Sequence, residues 1–569
     1  MNYSAQKLTD REKEILAEGK RLFDLFKGQN KAYKQEVAVA RKIAQLKDPD
    51  QEDIPQLHTL RSTLVSAVAD QMDNIPEARI YPERPDTQEK AEQLTDIVQY
   101  VFGINDFPRL NRERIEDNFI AGTSALQYVW DPDANAGKGD IAIIVCPIES
   151  IEWDYASREL QQSRAIFRKS WYPRSYFDQH YPDKADYIRS AVYFRSDVEG
   201  VGPQTSVADE DDEILLLEYW YRVFDAEKRR YVIHVAYIAG DCLLYSSEKA
   251  HPEGIYQHGR YPFVFDVYTR VYNQMHGNGM VMELAPMQRA INRYAQYIDD
   301  NARINSRNRI LYDDASGINE DDLKNLMKQL VKGDNISDNH IRWFPESRLS
   351  PSVQANMYGF IDMMKQDSGQ TQFNRGETAG GVTAMGAIQS LQEAGNKTSR
   401  FRTEVFKYGT KEGVEQILWL VKQFYKNDKI ITIVGDNGKI KDIHTKDLFG
   451  GEEIMPYAVR IQIQRNNPLR VQAENDLIMQ LFNAAAQQNQ ALDIGLMIRL
   501  LQVDGKDRFL KAIEEEKGDR VAALQQENAG LQQQNAGLQQ QVMLAKQMLA
   551  EDAAGLAETG AEAQPFLQE

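Results

Sequence analysis

The apolar positions of the chain follow two different periods, and the changes between them mark its parts. Met280, Leu284, Met287, Ile291, Tyr294 and Ile298 recur at steps of four and three, the stripe of an amphipathic helix. Glu283, Arg289, Arg293, Asp299 and Arg303 lie between them. From Gly279 to Asn305 such a helix is roughly 40 Å long at 1.5 Å per residue. Pro286, within its first two turns, predicts a kink or a late start. A small insert follows over 307–349: a strand at Arg309–Tyr312, the acidic turn Asp313-Asp314-Ala315-Ser316-Gly317, a helix around Glu320–Val331 and an apolar segment at Ile341–Phe344. So little structure buries no core of its own, so the insert is expected to pack against a neighbour, a copy of itself included. Ser350 and Pro351 read as N-cap and first residue of a second helix reaching about Ser368, with Val353, Met357, Phe360, Ile361 and Met364 on one stripe. Two helices flanking one excursion predict a side-by-side pair. Asn374-Arg375-Gly376-Glu377-Thr378-Ala379-Gly380-Gly381-Val382-Thr383 is a flexible loop by composition. Beyond it, Ala384 to about Lys426 is helical, with bends expected at Gly386, Gly395, Gly409 and Gly413.

Upstream, helical periodicity covers residues 8–47, Thr59–Met72, Thr87–Phe102 and Arg109–Ile120, the last stopping at Gly122, with a brief extended segment at Ala78–Pro82. From Ser124 the period becomes two. Ala125–Trp130 and Ile141–Cys146 are strands around a hairpin loop, Asp131–Gly139, followed by Ile151–Trp153, Ala165–Trp171, Ile214–Phe224, Arg230–Ile238, Cys242–Tyr245 and Pro262–Tyr268. Ser196–Glu213 reads as an exposed or disordered loop. The fold class is therefore α+β with mostly antiparallel strands, and the many aromatics are assigned to the core. After the long helix, Ile430–Val434 and Ile440–Ile443 form a hairpin around Asn437-Gly438, and Tyr457–Gln464 is a strand expected to rejoin the earlier sheet. Helices follow at Val471–Ala486, Leu492–Leu501 and Lys506–Glu516.

The C-terminal part carries a seven-residue repeat, Gln525–Leu531 followed by Gln532–Leu538. Leu524, Leu531, Leu538 and Ala545 take one seam position; Val521, Asn528, Asn535, Val542 and Leu549 take the other, the heptad of a coiled coil. Two seam asparagines, with Gly530 and Gly537, make a lone helix marginal, so self-association is expected. Residues 551–569 read as disordered.

Helix, small insert, helix, glycine-rich loop and long helix, with Gly277-Asn278-Gly279 before the first and Gly381-Val382-Thr383-Ala384 before the last, resemble the core of the portal proteins of tailed double-stranded DNA bacteriophages. The resemblance implies a wing over 1–276, stem helices over 277–306 and 350–373 and a clip over 307–349. It further implies a tunnel loop over 374–384, a spine helix with strands returning to the wing over 385–468 and a crown over 469–518. A coiled coil or barrel helix would span 519–550, and a disordered tail 551–569. It implies a ring of roughly twelve copies, a head-to-tail connector through which DNA is packaged and ejected. The DNA-facing loop would comprise Arg375, Gly376, Glu377, Thr378, Gly380, Gly381, Val382 and Thr383. The clip would offer Asp313, Asp314, Asn319, Glu320, Asp321, Lys324 and Lys328 to the large terminase subunit, and later to a head-completion or tail adaptor protein. Implied partners also include the major capsid and scaffolding proteins and double-stranded DNA without sequence specificity. The implied location is the capsid portal vertex, and the host cytoplasm during assembly.

Composition changes this picture little. The formal net charge of −18 argues against a protein gripping nucleic acid over its whole surface, yet suits a channel through which DNA must slide. Cys146 and Cys242 make no disulfide framework, the polar N-terminus shows no signal peptide, and no apolar run is long enough to span a membrane. No catalytic residue, metal site or cofactor is expected. Gly277-Asn278-Gly279 and Gly435–Lys439 lack the spacing of nucleotide-binding loops and read as turn glycines. Asp131 and Asp133 read as a turn, Asp209–Glu213 as a solvated loop, and His251 and His258 as surface histidines. The alternatives are a metal-dependent DNA-processing enzyme using Asp131 and Asp133, and a coiled-coil scaffold without a channel.

Overall fold

The computed structural model of the chain describes residues 6–51, 53–82, 87–188, 213–306, 310–324, 329–334, 336–337, 340–343, 348–369, 397–425, 430–434, 440–445, 448–449, 457–465, 468–487, 497–498, 501 and 528–550. It divides into two units, 1–433 with 440–465, and 434–439 with 466–569.

The first unit begins with a long helix, α1 (Asp10–Ala44). The Thr9 hydroxyl accepts the Glu12 N–H while the Glu12 carboxylate accepts the Thr9 N–H, a capping box. At 1.5 Å per residue its 35 residues span roughly 52 Å, so α1 reaches three separate apolar clusters. Then come α2 (Thr59–Met72), β1 (Asn74–Pro82), α3 (Gln88–Ile104) and α4 (Phe107–Ala121). The strands β2 (Thr123–Asp131), β3 (Asp140–Cys146), β4 (Ile151–Trp153), β5 (Ala165–Pro173), β6 (Glu213–Asp225), β7 (Arg230–Ala239), β8 (Cys242–Ser246) and β9 (Phe263–Val267) build two sheets, ordered β3-β2-β9 and β4-β5-β6-β7-β8, with every neighbouring pair antiparallel. A short pair, β10 (Thr269–Arg270) and β11 (Gly277–Asn278), leads into α5 (Met280–Ser306).

The insert consists of β12 (Ile310–Tyr312), α6 (Glu320–Lys324) and β13 (Ile341–Trp343), with β12 and β13 antiparallel. The helix expected to reach Val331 does not: residues 329–331 are not helical. The Asp334 N–H donates to Ser316 O at 3.0 Å, which draws the chain back onto the Asp313–Gly317 turn. Next come α7 (Pro351–Asp367), α8 (Lys397–Phe424), the hairpin strands β14 (Ile430–Val434) and β15 (Ile440–His444), and β16 (Tyr457–Arg465). Among the described residues β14 and β15 pair with each other, and β16 pairs antiparallel with β1 rather than with either larger sheet. The alternation in β16 decides its face: Tyr457, Val459 and Ile461 are buried while Ala458, Arg460 and Gln462 are exposed. The second unit contains α9 (Pro468–Gln487) and α10, residues 528–550.

Two sequence expectations change, and two glycines gain a packing role. α5 starts at Met280 and runs through Pro286, so the proline neither delays nor ends it. Its place in the second turn leaves one carbonyl, that of Met282, without its usual donor. Ser350 occupies the N-cap of α7 without capping it, because its Oγ pairs with Ser352 Oγ at 2.7 Å. α8 passes unbroken through Gly409 and Gly413. These glycines serve close approach: a Cβ on Gly409 would lie 1.9 Å from Asp266 Oδ1, and one on Gly413 2.2 Å from the Tyr128 hydroxyl oxygen. The loop 196–212, the helix over 506–516 and the tail 551–569 lie outside the described residues.

Where α1 crosses β4, two ammonium groups share one carboxylate. Lys34 and Lys169 approach Glu152 at 2.6 and 3.1 Å, all three side chains being 5% exposed or less. Lys34 also donates to the carbonyls of Glu149 and Ile151. Burial pulls the Lys34 amine down to about 7; Glu152 opposes this and the second ammonium adds to it. The folded state thus sheds a proton that the unfolded chain holds until near 10.5, so stability rises with pH above about 7. Chemical denaturation of Lys34→Met is expected to lose this slope, about 1.4 kcal/mol per pH unit between pH 7.5 and 9. Glu152→Gln, which removes the carboxylate that Lys34 and Lys169 share, is expected to cost about 3–5 kcal/mol.

Candidate functional site

α5 is held at its root, along one flank and against a partner helix. The root is a backbone crossing that excludes side chains. Gly122 ends α4 in the left-handed region (φ +79), and a Cβ there would sit 2.2 Å from Gly277 O. A Cβ on Gly279 would lie 2.5 Å from Ile120 O, and one on Gly277 2.5 Å from Thr269 O. The motif read as turn glycines is therefore a packing motif, set where the end of α4 meets the start of α5. Beside it, His276 is 7% exposed and stacks on Tyr33 at 4.0 Å, and neither ring nitrogen finds a partner among the described residues. Trp153 and Tyr155 complete its surroundings. Burial lowers its pKa to about 4.

The flank of α5 carries a polar network inside an apolar cluster. Gln288 accepts the Leu60 N–H at 2.8 Å and donates to Leu57 O at 3.0 Å and Asn292 Oδ1 at 2.7 Å. Asn292 accepts the Leu57 N–H and donates to Gln51 Oε1, and Arg289 grips Asp48 through two hydrogen bonds. These bonds satisfy the backbone of the α1–α2 connection and fix it to the helix. The predicted stripe divides along its length. Met280, Leu284 and Ile291 are buried among α1, α2 and α4, whereas Met287, Tyr294 and Ile298 are half-buried. α7 packs beside α5, with Tyr294 stacked on Phe360 at 5.9 Å and Met364 buried in the same cluster.

α8 is fixed by a buried ion pair that sequence reasoning missed. Arg114 on α4 and Asp266 on β9 are both fully buried, with Nε to Oδ2 at 2.6 Å and a second nitrogen to Oδ1 at 2.8 Å. The guanidinium also donates to Thr410 Oγ1 and Phe406 O on α8, while Ser124 and Asn118 donate to Asp266. The available signal was one carboxylate inside Phe263-Val264-Phe265-Asp266-Val267. Gln288, Asn292 and His276 left weaker traces, as polar residues on apolar stripes.

In the insert, His340 Nδ1 lies 2.9 Å from Asp313 Oδ2 and the Tyr312 hydroxyl donates to Glu320 at 2.6 Å. Lys324 pairs with Glu320 at 3.1 Å, and Asn319 Oδ1 accepts the Asp321 N–H. Asp313, Asp314, Glu320, Asp321 and Lys324 are exposed; Lys328 lies outside the described residues. The whole loop 374–384, with Arg375, Gly376, Glu377, Thr378, Gly380, Gly381, Val382 and Thr383, lies outside them too, as does Leu524. Asn528, Leu531, Asn535, Leu538 and Val542 lie on α10, all exposed.

Asp131 Oδ1 accepts the Asp133 N–H, a turn. His251 is exposed, but His258 is no surface histidine: half-buried, it stacks on Tyr256 at 5.3 Å, its Nδ1 accepts the Arg260 N–H, and burial lowers its pKa to about 3. Among the described residues no group of three His, Cys, Asp or Glu could hold a metal ion, and no helix is long and apolar enough to cross a membrane.

Residues 54–559 match the family model described as phage P22-like portal protein. The chain belongs to this family. A search of curated proteins returns no match. In this phage portal protein, the elements joined at the glycine crossing and the Arg114–Asp266 pair all fall within the matched span. Neither the nuclease nor the scaffold alternative gains support.

Two outcomes test how the portal chain is held together. Gly409→Ala is expected to destabilise by about 1–3 kcal/mol through overpacking. Gly28→Ala, within α1 and with nothing within 4 Å of the added Cβ, is expected to stabilise by about 0.5–1 kcal/mol; thermal unfolding of both variants checks the contrast. For His276, the unfolded chain takes a proton near 6.5 and the folded chain only near 4, so stability falls as pH drops through that interval. Between pH 7 and 5 the parent is expected to lose about 2 kcal/mol more than His276→Leu in denaturant titrations.

Proposed function

We propose that copies of this chain assemble into a closed ring whose axial channel passes double-stranded DNA into and out of a phage capsid. The match to the portal family over residues 54–559 carries this reading. α5 and α7, packed side by side, serve as the stem; the insert between them is the clip; and residues 374–384 form the loop approaching DNA. The exposed clip residues Asp313, Asp314, Asn319, Glu320, Asp321 and Lys324, with Lys328, form a docking surface. There the large terminase subunit binds during packaging and an adaptor protein afterwards. The N-terminal unit meets capsid and scaffolding proteins, and 469–518 is the crown.

The chain works without a cofactor and without catalysis of its own, the motor being a separate protein. An acidic surface supports this division of labour: with a net charge of −18, the chain adds little phosphate affinity to resist DNA movement. Native mass spectrometry with negative-stain class averages of the purified protein tests the reading. A ring of roughly twelve copies with an axial hole is expected. A compact monomer or dimer that persists at high concentration and with the scaffolding protein present overturns it.

A further inference from the structure

The ribbon of β1 and β16 buries one face and leaves the other open. Ala78 and Ile80 on β1, with Val459 and Ile461 on β16, face the core that α3 and α8 complete. The alternate positions form the outer face: Tyr81 stands across from Ala458, Arg79 from Arg460, and Glu77 from Gln462. Arg79, Ala458, Arg460 and Gln462 are exposed, while Glu77 and Tyr81 are half-buried.

Arg79 and Arg460 are therefore directly opposed in the ladder, and like charges so placed destabilise a strand pair. Neither charge is cancelled closely. Arg79 approaches Glu77 only at 3.5 Å, with half of the Arg79 side chain exposed, and among the described residues no carboxylate pairs with Arg460. Arg460 lies instead over the Tyr81 ring at 5.1 Å, and the Gln462 amide donates to the Tyr81 hydroxyl at 3.3 Å. These contacts hold one guanidinium against an aromatic plane and leave its charge available. With 85 acidic against 67 basic side chains, the chain has carboxylates in excess; the outer face places a single one, Glu77, beside two arginines.

Two guanidiniums fixed side by side on a strand pair suit a ligand that carries anionic groups in series, since each offers a planar fork of donors matched to phosphate or carboxylate. The neighbouring hollow of about 260 Å³ between α8 and β16 is lined by Ala458 but by neither arginine. The pair thus addresses an extended ligand rather than an enclosed small one. A DNA duplex is such a ligand, stiff and carrying a charge every ~1.7 Å along its axis. An acidic protein segment offers similar charge on a flexible chain and must be ordered in order to bind.

We propose that the outer face of the β1–β16 ribbon, through Arg79 and Arg460, is a contact for the phosphate backbone of double-stranded DNA, separate from the loop 374–384. This rests on the portal reading, which brings DNA to the particle. Two such contacts on a chain of net charge −18 give weak, salt-sensitive and sequence-independent binding rather than a grip.

The full-length Arg79→Gln/Arg460→Gln protein is compared with the parent and with Arg109→Gln/Arg112→Gln, which removes the same charge from exposed positions of α4. Fluorescence anisotropy of a short labelled DNA duplex is followed through a salt series, and native mass spectrometry weighs the same samples. The ribbon variant is expected to bind at least roughly tenfold more weakly at low salt, and to lose about 2 from the slope of log K against log salt for each copy in contact. The α4 variant is expected to stay within about twofold of the parent. Equal weakening by both variants, or by neither, overturns the contact, as does a parent that binds polyglutamate but no duplex. Those outcomes leave the portal reading standing wherever the parent forms rings; absence of rings in the parent overturns the portal reading instead.

Discussion

The contact on which most of the first unit depends is the Arg114–Asp266 pair. Removing two charges from water is costly, and their attraction alone does not guarantee a net gain. The surrounding bonds change the balance: Thr410 and the Phe406 carbonyl accept from the guanidinium, Ser124 donates to the carboxylate and Asn118 to the Asp266 backbone carbonyl, so four elements must reach their places together. The pair thereby specifies a register for α8 that a purely apolar contact would leave open to sliding. Gly409 follows from it, because only a glycine lets the α8 backbone come so close to the carboxylate.

The same logic of backbone proximity governs the root of α5. Gly122, Gly277 and Gly279 let α4, β11 and α5 touch through main-chain atoms, which are stiffer joints than side chains. Above this joint the Gln288–Asn292 network binds the α1–α2 connection to α5, and α1 in turn reaches the five-stranded sheet through Phe23 and Phe26 packed on Phe167. A load applied to the α5–α7 pair is thus delivered through short, specific contacts into the sheets. Such stiffness suits a passive conduit, in which a separate motor does the work and the conduit must hold its shape.

Much of the fold was legible because its elements are long and periodic. α1, α2, α3 and α4 follow their apolar stripes, and the strands from 123 to 267 follow alternation. Partnership was harder to read. That β16 pairs with β1, with Arg465 opposite Asn74 and Tyr457 opposite Pro82, is a tertiary choice that no local pattern encodes. At Gly409 and Gly413 composition shows a missing side chain but not the Asp266 carboxylate and the Tyr128 ring that fill the space. His258 was assigned to the surface because a histidine beside Gly259 and Arg260 resembles a loop residue, while its burial comes from Tyr256. Of the candidate site, the α5 stripe was visible in sequence; the ion pair and polar network beneath it were not, since single polar residues in apolar runs look like exceptions until their partners are known.

The most direct measurement of the central claim is a cryo-electron microscopy map of the assembled particle, at a resolution that separates helices. The account predicts that the α5–α7 pairs of successive copies surround the axis, with each insert at one end of the channel and α8 anchored through Arg114 and Asp266. A map with α5 and α7 on the outer rim, or with the axis lined by the β4–β8 sheet, would contradict it.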